Sequence, residues 1–359
     1  MIKWKKVDEL NRGDIIVESI RGDAASDVIV KYGDAVDEDL IHKLQIRGIQ
    51  WVSVHLAPET PSDITPLFSE EKIDHLESQI NDVYEQIVLE NRIDLEKTRE
   101  ISKEISESVA KNYGPYIWPN LAKLKEMDDY TFTHQVNVAI IGATLAFEHF
   151  RGDLELVDRF TAGGLLHDIG KLWIPSEILK SRERLPEMEF NIIKKHPIYG
   201  HGIAKQSGLE DPVILNSILY HHEQWDGNGY NEGKQGEDIP FESRLMMVAD
   251  VYDALTTVRP YKKAWTPYEA TTFLIKENKK KFDPSIVNLF LKVFGLYPVG
   301  TRIALSNGQT GVVVGNKTGA VSRPLVSPDD EPDKILNLFT DRRVFITRVI
   351  PDASQPEAK

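Results

Sequence analysis

Thr161-Ala-Gly-Gly-Leu-Leu-His-Asp-Ile-Gly-Lys171 is the stretch on which the reading of this chain turns. It sets a neutral imidazole, His167, directly beside a carboxylate, Asp168. Together they can bind one divalent metal, and the carboxylate keeps a second oxygen free for another. A single His-Asp pair also occurs by chance on solvated helix faces, so the surroundings carry the weight. Of the ten histidines, His134, His167, His196, His201, His221 and His222 fall within one quarter of the chain. Asp250 and Asp253 follow on another apolar, helix-like run.

In chain order the candidate ligands are His134, His167, Asp168, His196, His221, His222 and Asp250, each in or beside an expected helix. Several helices can therefore aim them into one bundle interior. Imidazole with carboxylate suits iron, manganese, nickel, zinc or cobalt better than calcium or magnesium. Seven donors exceed one tetrahedral ion and suffice for two that share Asp168. Two metals ~3.5–4 Å apart can clamp both ends of an in-line phosphoryl displacement. Each residue has a plainer role to weigh against this. His134 or His196 alone would be a packed or capping histidine, His221-His222 a helix end favoured by the dipole, and Asp250 and Asp253 solvated positions. His201 has no partner in the pattern and is left out.

Composition bounds the rest. The 359 residues suggest two or three domains, and 41% hydrophobic with 28% charged residues is ordinary for a globular protein. The absence of cysteine removes disulfides and thiolate zinc sites. A formal charge of −13 repels duplex nucleic acid, while a small phosphorylated ligand stays compatible because bound cations reverse the local field. The polar start Met1-Ile-Lys-Trp-Lys-Lys does not resemble a signal peptide. No stretch approaches the ~20 apolar residues of a membrane span, so the expected location is the cytoplasm.

The fold class expected is mainly α, with five stretches. Residues 1–57 form a small α/β unit: strands at Asp14 to Ile20, Asp27 to Tyr32 and Ile49 to Leu56, and a helix from Asp37 to Arg47 closed by Gly48. Residues 58–117 hold a proline-marked linker and a long helix from about Leu67 to Asn112. Its seam of Ile73, Leu76, Ile80, Val83 and Ile87 steps by three and four. That seam either packs on the next domain or pairs two protomers into a homodimer. Residues 118–297 read as helical almost throughout, residues 298–350 as a β appendage with a turn at Asn307-Gly308, and residues 351–359 as a disordered tail.

The motif series resembles the HD-GYP subgroup of the HD-domain metal-dependent phosphohydrolases. The matching stretches are Tyr130-Thr-Phe-Thr-His134, Leu166-His-Asp-Ile-Gly-Lys171, His196-Pro-Ile-Tyr-Gly200, His221-His-Glu-Gln-Trp-Asp-Gly-Asn-Gly-Tyr230, Val248-Ala-Asp-Val-Tyr-Asp-Ala-Leu255 and Arg259-Pro-Tyr-Lys-Lys-Ala264. They cover roughly residues 128–284.

The resemblance implies an all-helical HD-type catalytic domain that hydrolyses cyclic di-GMP to linear pGpG, or on to GMP, through a dinuclear centre and a bridging hydroxide. It assigns His134, His167, Asp168 and Asp250 to one metal, and Asp168 with His196, His221 and His222 to the other. It gives Asp168 and Lys171 to catalysis, and Lys171, Arg259 and Lys262 to the substrate. The metals implied are two divalent transition ions, iron or manganese first, with nickel, cobalt or zinc as alternatives. Two departures stand out. Tyr130 occupies the position where trinuclear members carry a glutamate, which implies two metals. Asn231 replaces the proline of Gly-Tyr-Pro and frees that loop's φ, which weakens the case for a GGDEF-type cyclase partner. The rivals are another cyclic dinucleotide, such as cyclic GMP-AMP, and a domain that binds ligand and signals without turnover.

Overall fold

A computed structural model of the chain describes residues 2–21, 28–58, 60–64, 66–117, 130–179, 181, 185–257 and 264–351. Of the sequence expectations, Arg259, Lys262, the Tyr130 side chain and the tail from residue 352 lie outside the described residues. The chain forms two compact units. One joins Met1–Thr65, Gly114–Trp118 and Tyr297–Lys359; the other joins Pro66–Tyr113 and Pro119–Leu296.

The first unit begins with β1 (Ile2–Lys6), β2 (Ile15–Ile16), β3 (Ile20–Arg21), β4 (Val28–Val30), α1 (Glu38–Ile46) and β5 (Trp51–His55). A three-stranded antiparallel sheet has the order β1-β5-β2, and β3 pairs with β4 separately. Asp37 caps α1 by accepting from the Leu40 amide at 2.8 Å, and Gly48 takes φ 69 just beyond the helix. Ile16, Val36, Leu44, Val52 and Val54 close the core beneath. The sequence reading did not mark β1, because the alternation Ile2-Lys-Trp-Lys covers only four residues and holds just two apolar positions. The strand is set by main-chain pairing with β5, from Ile2↔His55 to Lys6↔Trp51.

The same unit contains β6 (Tyr116–Ile117), β7 (Arg302–Leu305), β8 (Thr310–Lys317), β9 (Leu325–Pro328), β10 (Leu336–Asn337) and β11 (Ile346–Val349). Their sheet runs β10-β9-β8-β7-β11, with β6 paired to β8. Asn307-Gly308 makes the β7–β8 turn as expected, with Gly308 at φ 90.

The second unit is helical: α2 (Glu70–Glu90), α3 (Leu95–Asn112), α4 (Tyr130–His149), α5 (Leu154–Leu166), α6 (Ser176–Leu179), α7 (Glu187–Ile193), α8 (His196–Gln206), α9 (Pro212–Tyr220), α10 (Phe241–Thr256), α11 (Pro267–Lys276) and α12 (Pro284–Phe294). The stretch expected as one long helix is two. Asn91 ends α2 in the left-handed region at φ 51, which asparagine tolerates better than most residues. Asp94 then caps α3 through the Lys97 amide at 2.9 Å, and the two helices pack on each other.

The apolar seam Ile73, Leu76, Ile80, Val83 and Ile87 is at most 5% exposed within the single chain. It is therefore spent inside this unit against α3 and α4 and is not a face left for a second protomer. Val88 and Leu89, at 67% and 83% exposure, are the large apolar residues that α2 presents to solvent. Helix α4 is buried on all sides, with Val136, Val138, Ala139, Ile140, Ile141 and Ala143 at 0% exposure, as expected for a central core helix.

Close helix approach positions the site. A Cβ on Gly164 would lie 2.7 Å from the Ala139 Cα, so this glycine lets α5 lie directly on α4. Among the described residues no helix is long and apolar enough to cross a membrane.

Candidate metal centre

Helix α5 ends at Leu166, and the chain tightens into the 3-10 turn Ile169–Trp173. His167 and Asp168 sit at that junction, 0% and 2% exposed. The tightening depends on Gly170, whose Cβ, if present, would fall 1.8 Å from the His196 carbonyl oxygen. The turn is thereby pressed against the start of α8, and His196 arrives beside Asp168.

The seven expected ligands come together as two adjoining groups. Asp168, His196, His221 and His222 form one; His134, His167 and Asp250 form the other. Within each group one donor atom per residue lies within 4.8 Å of the rest. Asp168 faces both. Its Oδ1 is 3.0 Å from His196 Nε2 and 3.7 Å from His221 Nε2. Its Oδ2 is 3.4 Å from His167 Nε2 and 3.6 Å from His134 Nε2. Asp250 Oδ1 stands 3.2 Å from His134 Nε2. His201 is not among the grouped residues.

The outer nitrogens fix the tautomers. Nδ1 of His167 donates to Gly164 O at 2.8 Å, Nδ1 of His196 to Ile193 O at 2.8 Å, and Nδ1 of His221 to Ile218 O at 2.9 Å. A carbonyl only accepts, so each Nδ1 carries a proton, and in the neutral ring each Nε2 turns a lone pair inward. The consequence is a concentration of unmet acceptors. His167 Nε2 and Asp168 Oδ1 are buried with no hydrogen-bond partner, each costing about 1–3 kcal/mol if left so. His196 Nε2 and His221 Nε2 confront each other at 3.2 Å. Two lone pairs at that distance repel, and a cation coordinated by both removes the conflict. This donor set fits divalent transition metals.

Electrostatics point the same way. Burial works to raise the Asp168 pKa, but the Lys171 ammonium, then His167 and His134, hold it well below the usual carboxylate range. Asp250 is likewise held low, His134 outweighing burial. Burial lowers His196 against the pull of Asp168, and burial followed by the proximity of His221 lowers His222 further. Carboxylates stay ionised and these imidazoles neutral, the states in which both bind metal. Lys171 donates directly to Asp168 Oδ2, with its side chain 35% exposed.

Residues that sequence reasoning left aside complete the centre. Asp253 is 0% exposed. Its Oδ2 accepts from His134 Nδ1 at 2.6 Å, and its Oδ1 from Asn137 Nδ2 at 2.7 Å and Thr257 Oγ1 at 3.0 Å. In sequence it reads as a solvated position; in the structure it is the anchor of His134. The available signal was spacing: Asn137 lies three residues after His134, and Asp253 three after Asp250, so both pairs share a helix face. Asp253→Asn leaves one carbonyl oxygen to serve three donors. Affinity at the His134 group is expected to fall about 10–100-fold in a metal titration. Unchanged affinity would show that His134 needs no such anchor.

Glu223, 1% exposed, is the second such residue. Its Oε1 accepts from the amides of Asn231 at 3.1 Å, Glu232 at 2.7 Å and Gly233 at 3.2 Å. This clasp closes the loop that lays the Tyr230 ring on His222, centroids 4.7 Å apart and planes 28° from parallel. The expectation that Asn231 frees this loop is corrected here. Its amide reaches Glu223, and its side-chain Nδ2 donates to Leu219 O at 2.5 Å. Proline would lose both bonds, so asparagine holds the turn by hydrogen bonding where proline would hold it by ring closure.

Residues 141–286 match the family model for the HD domain. The chain is 37% identical over 222 residues to cyclic di-GMP phosphodiesterase PA4108 of Pseudomonas aeruginosa, covering 62% of this chain and 53% of that protein. It is 34% identical over 186 residues to cyclic di-GMP phosphodiesterase PdeB of Borreliella burgdorferi, covering 52% and 48%. It is 31% identical over 227 residues to 3'3'-cGAMP-specific phosphodiesterase 2 of Vibrio cholerae, covering 62% and 41%. The chain thus spans about half the length of these curated relatives, or less. Among solved structures, Bd1817, an HDG"Y"P protein from Bdellovibrio bacteriovorus, aligns with 80% of this chain and 98% of its own at 17% identity and a TM-score of 0.48. Residues 141–286 thus match an HD domain, and the relatives the chain is similar to across it are named as cyclic dinucleotide phosphodiesterases.

Proposed function

We propose that this chain is a metal-dependent phosphodiesterase that opens cyclic di-GMP to linear pGpG. The observation that carries the proposal is the convergence of inward lone pairs on Asp168, at distances a shared pair of cations would relieve. His134, His167 and Asp250 would hold one ion, and His196, His221 and His222 the other, with Asp168 common to both. Bound there, the ions supply an activated water and charge compensation for a phosphoryl group. Iron or manganese suits this mixture of imidazole and carboxylate, with nickel, cobalt or zinc as the next choices.

The chain's own residues do the rest. The imidazoles stay fixed because each Nδ1 is tied to backbone or to Asp253. Lys171 reaches from Asp168 toward solvent, placed to offer charge to a phosphate oxygen at the edge of the centre. Arg259 and Lys262 are proposed as further phosphate or base contacts on sequence grounds. Cyclic di-GMP is favoured because relatives of that name match at 37% and 34% identity.

A second reading, the mixed 3'3' cyclic GMP-AMP ring, is favoured by the 31% identity to an enzyme named for it. Anaerobically purified protein loaded with iron or manganese is expected to convert cyclic di-GMP to pGpG, and a chelator to stop it. A faster conversion of the mixed ring would move the assignment to the second reading. Product chromatography showing both rings intact would overturn both.

A further inference from the structure

We propose that Lys194 binds the second phosphate of the cyclic dinucleotide, the one not being cleaved. This rests on the functional reading above and adds a determinant of substrate class to it.

Lys194 closes α7, two residues before His196. Its ammonium lies 4.9 Å from the centroid of the Phe190 ring and 5.7 Å from that of Tyr230. Tyr230 is the link to the metal centre, because the same ring stacks on His222 and is held there by the Glu223 clasp. The cation is therefore built into the rim of the site by two aromatic faces. Lys171, by contrast, is committed to Asp168.

The partners of Lys194 matter as much as its position. Among the described residues its contacts are ring faces, with no carboxylate in ion-pair reach. Ring quadrupoles hold an ammonium loosely and leave its N–H groups free to donate. An incoming phosphate can thus gain a charge-assisted bond without first breaking an ion pair. The half-buried setting strengthens that bond relative to a fully solvated lysine. A cyclic dinucleotide carries two phosphates on one ring, so when one is at the metals the other must lie close by. A simple diester has no such second anion. Phe190, 45% exposed, adds an open aromatic face beside the cation on which a base can stack.

The test compares metal-loaded wild-type protein, Lys194→Gln and Lys194→Arg on cyclic di-GMP and on bis(4-nitrophenyl) phosphate, a diester with one phosphate. Lys194→Gln is expected to lower the ratio of the two kcat/KM values about tenfold. The change should fall in KM for the dinucleotide, and Lys194→Arg should restore most of it. A purely structural role would lower both substrates together and spare the ratio, and that result overturns the assignment. An unchanged KM for the dinucleotide in Lys194→Gln overturns it equally, while leaving the phosphodiesterase reading intact. Wild-type protein that cleaves the simple diester but neither cyclic ring would refute the reading and the role of Lys194 together.

Discussion

Replacing His167 and Asp168 together by alanine is expected to abolish turnover, by roughly a thousandfold or more, which corresponds to about 4 kcal/mol of transition-state stabilisation. Asp168 is the residue whose two oxygens face both groups, Oδ1 toward His196 and His221, Oδ2 toward His134 and His167. Its loss therefore empties both halves, whereas loss of His221 removes a donor from one. Metal analysis should accordingly show both equivalents missing from the double variant and one largely retained in His221→Ala. The helices should survive, because α4 and α5 also bury Val138, Ile140, Ile141, Leu145, Phe160 and Leu165, an apolar surface that the substitution leaves in place. Turnover unaffected by the double change would refute the assignment outright.

Gly170→Ala should be nearly as damaging while touching no ligand. The added methyl would sit 1.8 Å from the His196 carbonyl oxygen and 2.5 Å from the Gly200 amide nitrogen. Both are backbone atoms, so no rotamer change can make room. The 3-10 turn must lift from α8, separating Asp168 from His196. A cost of about 3 kcal/mol is expected for such overpacking, seen as a melting temperature lower by roughly 6–12 °C. Metal affinity should drop at the His196 group in particular. A variant that melts and binds metal like the wild type would mean that the turn has slack which the structure does not show.

How much of this was legible beforehand follows from what each feature demands of the sequence. The grouping of the candidate ligands was readable because metal binding requires particular side chains, and His, His-Asp, His, His-His and Asp in series have few other reasons to co-occur. The turn at Asn307-Gly308 was readable because only a few residues accept positive φ. The break at Asn91 was not. Apolar positions continue on both sides, at Ile87 and Ile93, and a single asparagine in a helical pattern is weak evidence of a left-handed cap. Asp253 and Glu223 escaped for a different reason. An acidic residue anchoring a histidine or clasping a loop looks, in sequence, like any solvated carboxylate; only burial distinguishes them. Strand β1 escaped because its partner β5 lies some fifty residues on, and the pairing itself makes the strand.

Tyr116 carries a consequence for how the molecule comes into being. Its hydroxyl donates to the Gly13 carbonyl at 2.5 Å and receives the Asn337 side-chain amide at 3.4 Å, and burial pushes the phenol up to about 12, so it remains a donor at any physiological acidity. Strand β6 around it pairs with β8, Tyr116 opposite Lys317. On a ribosome the first strands can collapse onto their own apolar centre early. The seam that joins them to β8 must stay open until residues 310–317 have been made. A product stalled before β8 would leave β6 without the strand it pairs with.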